Sequence, residues 1–153
     1  RLQGDWSSDV CSSDLLAALV RRRPAALLDL LQSPPDDAPR RLAARLAEVS
    51  DAATSAPEIM RALRQFKADI ALLTALCDIG GVWPVMQVTR VLSQAADTAA
   101  ACAVRYLFRD AVRRGDWLDA GADPETRSGY VVLAMGKHGA FELNYSSDID
   151  LIV

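Results

Sequence analysis

The sequence predicts an α+β fold, a helical region followed by a first β-hairpin, and three patterns predict it. Residues 16–117 are rich in Ala, Leu and Arg, with apolar residues at three- and four-residue spacing, the helical period. Residues 118–128 turn to Gly, Asp, Pro, Glu and Thr, the composition of a surface loop. Residues 129–153 hold two short apolar runs with β-branched residues on either side of a glycine-containing connection.

Ahead of the helices, residues 1–15 fit no element. Asp5 to Leu15 reads DWSSDVCSSDL, a polar run with two Ser-Ser-Asp repeats and neither helical nor strand period. It resembles the in-frame translation of a common DNA-library adapter. It is set aside as an assembly scar or a disordered leader, so Trp6 and Cys11 receive no function and the true upstream sequence is expected to be missing.

Four helical stretches are expected. The first covers 15–31 with a break or restart at Pro24, and Ser33-Pro34-Pro35-Asp36-Asp37 ends it as a turn. Pro39 suits the first turn of a short helix running to about Ser50. Ser55 followed by Glu58 is a capping box, with Pro57 in the first turn, and Gly80-Gly81 stops that third helix. Its apolar stripe is Ile59, Leu63, Phe66, Ile70, Leu73 and Leu76. Pro84 opens the fourth, which runs to Arg114 before Gly115 releases it, with Val88, Leu92, Ala99, Val104, Leu107 and Phe108 facing inward.

The β-rich end follows. Tyr130 to Met135 is a continuous apolar run, the pattern of a buried strand. Asp148-Ile149-Asp150-Leu151-Ile152-Val153 alternates acidic and apolar residues, so its carboxylates share one face, and Ile149 and Ile152 are expected to be buried beneath them. Residues 136–147 connect the two strands. With a sheet of only two strands, residues 148–153 are expected to form an exposed, aggregation-prone edge.

Composition removes several classes of function. A net charge of -3 gives no electrostatic reason to expect nucleic acid or an anionic membrane, and any nucleotide handled is expected to be small. Charged residues interrupt every apolar stretch before the roughly 18 to 20 residues that span a bilayer. Three cysteines without a CxxC pair indicate neither a disulfide framework nor a zinc site, which fits a soluble protein of the reducing cytoplasm.

Two aspartates at i and i+2 on a strand project to one side about 6 to 7 Å apart, which suits one or two Mg²⁺ ions held between them and a nucleotide phosphate. Taken alone, Asp148-x-Asp150 equally fits a solvated acidic face. The preceding strand adds weight, because it ends in Met135-Gly136-Lys137. A glycine turn there lets backbone N–H groups approach phosphates, and Lys137 supplies positive charge. Glu142 and Asn144 also suit the plain task of satisfying turn amides.

The run from Val132 to Ile152, VLAMGKHGAFELNYSSDIDLI, closely resembles the signature of the bifunctional glutamine synthetase adenylyltransferase/adenylyl-removing family, within the DNA polymerase β-like nucleotidyltransferase superfamily. Residues 59–78 and Gly81-Val82-Trp83-Pro84 are more loosely similar to the region preceding that signature. The resemblance implies that residues 129–153 begin a polymerase β-like nucleotidyltransferase domain, truncated here. It implies that Asp148 and Asp150 are catalytic ligands of Mg²⁺, and that Gly136, Lys137 and Ser147 line the nucleotide and phosphate side. Members carry two such domains. The wording ELNYSSDID is similar to the adenylyl-removing copy, because the adenylylating copy usually has glycine at the Asn144 and Ser146 positions. The implied reaction is phosphorolysis of adenylyl-tyrosine on glutamine synthetase to give ADP, under control of the PII signalling protein and glutamine.

The sequence departs from the family at His138, where an apolar residue such as leucine is usual, and at Phe141, where a basic residue is frequent. His138 is read as a solvated or packed side chain and given no role. The third carboxylate is expected beyond Val153, so the chain by itself is expected to be inactive. Two other readings stay open: the adenylylating half, transferring AMP from ATP, and a helical interaction module. In the second, Arg61, Arg64 and Lys67 with Arg21-Arg22-Arg23 would meet an acidic partner above a purely structural hairpin.

Overall fold

The computed structural model describes residues 17–18, 20–118 and 124–153. The expectations for 1–15, Trp6 and Cys11 included, lie outside the described residues. Pro24 restarts a helix as expected: Arg23 falls outside helical geometry, and α1 runs Pro24–Leu31. Helix α2 is Ala38–Ala52 and α3 is Ala56–Ile79. Glu58 closes the N-terminus of α3, its carboxylate accepting the Thr54 N–H at 2.8 Å and the Ser55 N–H at 3.3 Å. Those backbone donors hold the Glu58 carboxyl below its ordinary range. Helix α4 is Val85–Arg114. Gly115 ends it at φ +79°, a left-handed turn in which Asp116 N–H returns to the Ala111 carbonyl at 2.9 Å.

Helices α2, α3 and α4 pack on one another around Leu42, Leu46, Phe66, Ile70, Leu72, Leu73, Val88 and Cys102. The predicted stripe of α3 is there: Ile59, Phe66, Ile70 and Leu73 are buried, while Leu63 and Leu76 are partly so. Along α4 the buried line is Val88, Val91, Cys102 and Tyr106, one helical face. Leu107 was expected to face inward but is 60% exposed, because it lies a third of a turn from Tyr106. Phe108 serves a smaller aromatic group instead, edge-on to Trp117 and Tyr130 with centroids 5.4 and 5.8 Å away.

Polar joints fix how the helices meet. The Arg23 guanidinium pairs with Asp69 at 2.6 Å and donates to the Gln65 carbonyl at 3.0 Å, tying α1 to α3. Trp83 Nε1 donates to Asp36 at 2.8 Å. Cys77 and Cys102 are free and buried, and burial pushes both thiols up, away from reactive thiolate. Among the described residues no helix is long and apolar enough to cross a membrane.

The segment expected to be loop contains one helical turn, α5, Pro124–Arg127. Proline at its start, acid in its first turn and base in its last explain it, and Arg105 of α4 pins it through Glu125 at 2.7 Å. Burial pushes the Glu125 carboxyl up, but its bonds to Arg105 and its own backbone outweigh this and leave it low.

Both strands are shorter than predicted. β1 is Leu133–Met135, β2 is Asp150–Ile152, and between them Gly136–Gly139 forms a single turn, α6. The ladder is antiparallel, with Leu133 opposite Ile152, Ala134 opposite Leu151 and Met135 opposite Asp150. Tyr130 to Met135 is not a buried strand: Val131, Leu133 and Met135 are exposed, because the ladder covers only three pairs and leaves one face uncovered. The expected floor beneath the acids also fails. Ile149 is 46% and Ile152 52% exposed. By strand alternation Ile152 falls on the same side as Asp150, not opposite it. β2 is exposed throughout and, among the described residues, pairs only with β1, as the expectation of an open edge required.

Candidate nucleotide and metal site

The geometry centres on the corner after β1. Gly136 has φ +56°, where a side chain is strained, and a Cβ built on it would lie 3.2 Å from Asp150 Oδ2. The bare glycine therefore lets the Asp150 carboxylate lie against the turn, a juxtaposition that follows from the pairing of Asp150 with Met135. Gly139 is equally constrained, since a Cβ there would meet the Ala134 carbonyl oxygen at 2.4 Å. The turn is thus folded tightly back on β1.

Of the predicted residues, Gly136 and Asp150 come together at this corner, and Lys137 follows Gly136 in sequence, exposed on α6. Asp148 is exposed two residues ahead of β2, outside the regular ladder. Ser147 is half-buried and engaged within its own turn. Its hydroxyl donates to Asn144 Oδ1 at 2.9 Å and accepts the Asn144 N–H at 3.1 Å. Asn144 Oδ1 also accepts the Ser146 N–H at 3.0 Å, so Asn144 does the turn-satisfying work its type suggests.

Asp148 and Asp150 offer exposed hard oxygen donors, the class Mg²⁺ prefers, so the chemistry of the donor set fits such an ion. Among the described residues no cluster of three or more His, Cys, Asp or Glu could hold a metal. These residues supply a pair of carboxylates, not a closed cage.

Sequence reasoning missed what holds the corner in place. His138 is packed, as one of its two readings had it, with a ring only 2% exposed and Nε2 2.8 Å from Asp97 Oδ1 on α4. Among the described residues its buried Nδ1 has no hydrogen-bond partner. Leu143 is buried and its N–H donates to the Ser93 hydroxyl, also on α4, at 3.4 Å. Tyr145 reaches the Asp78 carboxylate of α3 at 3.4 Å, and burial, then that carboxylate, pushes its phenol up to about 12. No periodicity announces pairs separated by 41 to 67 positions. The available signals were a histidine in place of an apolar residue and two small polar residues one turn apart on α4, Ser93 and Asp97.

Helices carrying a two-stranded hairpin, with an acidic strand end against a glycine corner, define an α+β chain. Comparison with known proteins makes this particular. The family model described as "Glutamate-ammonia ligase adenylyltransferase" matches residues 8–153. The chain belongs to that family. It is 52% identical over 145 residues, 92% of the chain, to a protein of Bradyrhizobium diazoefficiens named bifunctional glutamine synthetase adenylyltransferase/adenylyl-removing enzyme. Proteins of the same name from Rhodopseudomonas palustris and Xanthobacter autotrophicus are 50% and 46% identical over 93% and 92% of the chain. In each case the match spans about 14% of the relative's length.

Proposed function

We propose that the chain is part of a Mg²⁺-dependent nucleotidyltransferase of the cytoplasm acting on glutamine synthetase, and that it belongs to the adenylyl-removing half. The observation that carries this reading is the Asp150 carboxylate lying against the Gly136 corner, beside Lys137, in a chain about half identical to proteins named for this activity. The Asn144 and Ser146 wording of the connection supports the removing half.

In the proposed reaction an oxygen of inorganic phosphate attacks the phosphorus of the adenylyl group. The bond from phosphorus to the tyrosine oxygen breaks, and the tyrosine leaves with the electron pair and takes up a proton. The products are ADP and unmodified glutamine synthetase. Asp148 and Asp150 hold Mg²⁺, which when bound neutralises charge at the reacting phosphate. Lys137 and the N–H groups of the glycine turn receive the phosphate oxygens, and Ser147 keeps the approach to Asp148 in shape through Asn144. The PII signalling protein is the proposed regulatory partner.

The test uses the full-length polypeptide that carries this segment, with glutamine synthetase in adenylylated and free forms. Phosphate-dependent release of ADP from the adenylylated form is expected. ATP-dependent modification that depends on Asp148 and Asp150, without ADP release, would assign the segment to the adenylylating half instead.

A further inference from the structure

The corner packs closely on β1 through its backbone but has few side-chain anchors of its own. Helix α6 is a single turn with glycine at both ends and no side-chain cap, so its own backbone does little to fix where Lys137 points. Its firm attachments lead to one face of α4. Ser93 and Asp97 are one turn apart there. Ser93 takes the Leu143 N–H at the far end of the connection, and Asp97 takes His138, the residue next to Lys137. The Asp97 carboxylate oxygen is an acceptor, so the Nε2–H of His138 donates to it, and among the described residues Nδ1 has no hydrogen-bond partner. Among the described residues, the polar anchoring of the buried ring passes through Asp97.

We infer that Asp97 is a positioning residue for the phosphate-side turn: by holding His138 it orients Gly136 and Lys137 against Asp150. The inference rests on the nucleotidyl-transfer reading of that corner. Asp97 lies on a helix outside the signature run, and its side chain is half-exposed, so it is not needed to fill the core. A leucine at position 138 would hold the turn by packing alone. Here a hydrogen bond is added to the packing of the ring, and the orientation of the turn depends on its acceptor.

The experiment has two arms. In the full-length polypeptide, Asp97→Ala is expected to raise KM for inorganic phosphate about tenfold with kcat within about twofold, the split expected for misplaced phosphate binding. Asp97→Asn, which keeps an oxygen acceptor, is expected to return KM to within about threefold of wild type. In a His138→Leu background, Asp97→Ala is expected to add no further loss. An unchanged KM, or losses that simply add, would overturn the inference. The second arm needs no turnover. His138 is the sole histidine of this chain, so ¹⁵N labelling yields one imidazole, expected as the Nε2–H tautomer in wild type and Asp97→Asn. Asp97→Ala removes the acceptor and should shift both the Nε2 resonance of His138 and the Lys137 amide. If the wild type releases no ADP, the functional reading fails while this arm still decides the tether, and unmoved imidazole and Lys137 signals would refute it.

Discussion

On α3 and α4, apolar side chains close on one another: Phe66, Leu72, Leu73 and Val88 are all buried in one cluster. On the hairpin, side chains just as apolar do not: Leu133, Met135 and Ile152 stay about half exposed, and the strands share three residue pairs. The helical body holds itself together, whereas the hairpin is held by what it touches on the body, namely Asp97, Ser93 and Asp78. Folding free energy and the proposed chemistry therefore reside in different parts of the chain. A substitution should disturb one and spare the other according to where it falls.

The largest separation is expected at Asp150. Asp150→Asn in the full-length polypeptide removes a proposed metal-binding oxygen, and turnover on adenylylated glutamine synthetase should fall about a thousandfold. The side chain is exposed and lies in no packed cluster, so unfolding free energy should change by less than about 0.5 kcal/mol. Turnover and urea unfolding on the same preparation test this together. Retained turnover would remove the acid from the mechanism, and a large loss of stability would make it structural.

The converse is expected at Phe66. Its ring is buried among α2, α3 and α4, and Phe66→Ala should cost about 3 to 4 kcal/mol through lost burial and the cavity left behind. Ile152→Ala removes half as many carbons, from a position that is about half exposed, and should cost less than about 1 kcal/mol, well under half the loss at Phe66. Equal losses at the two sites would mean that hairpin and body do not divide stability in this way.

The same division explains what could be read from the residues alone. Helix positions and ends were legible because they are set locally: Ser55 and Glu58 at the start of α3, Pro24 restarting α1 and Gly115 ending α4 each act within one turn. The corner was legible for a similar reason, since a glycine with positive φ beside an acidic strand is a short-range pattern. The burial expected for Tyr130 to Met135 and for Ile149 failed because an apolar run records what a strand can bury, not whether a second layer covers it. The lengths of β1 and β2 and the anchors at Asp97 and Asp78 depend on where distant segments meet, which no local pattern encodes.

A smaller effect tests how the body tolerates a charge at its own seam. Asp69 is buried between α1 and α3, and although Arg23 pairs with it at 2.6 Å, burial outweighs that attraction and leaves its carboxyl above the ordinary range. A raised carboxyl means the folded chain binds this proton more tightly than the unfolded one does. The resulting stabilisation is fully present below the unfolded value and is lost as pH rises through the folded one. Asp69→Asn removes the titration and keeps the shape, so at neutral pH it should lie within about 1 kcal/mol of wild type. As pH falls through the acid range, wild type should gain relative to Asp69→Asn. Urea unfolding of both chains across that range measures the sign. If wild type instead loses ground on acidification, the Arg23 pair outweighs the burial of Asp69, and the seam between α1 and α3 is held by charge after all.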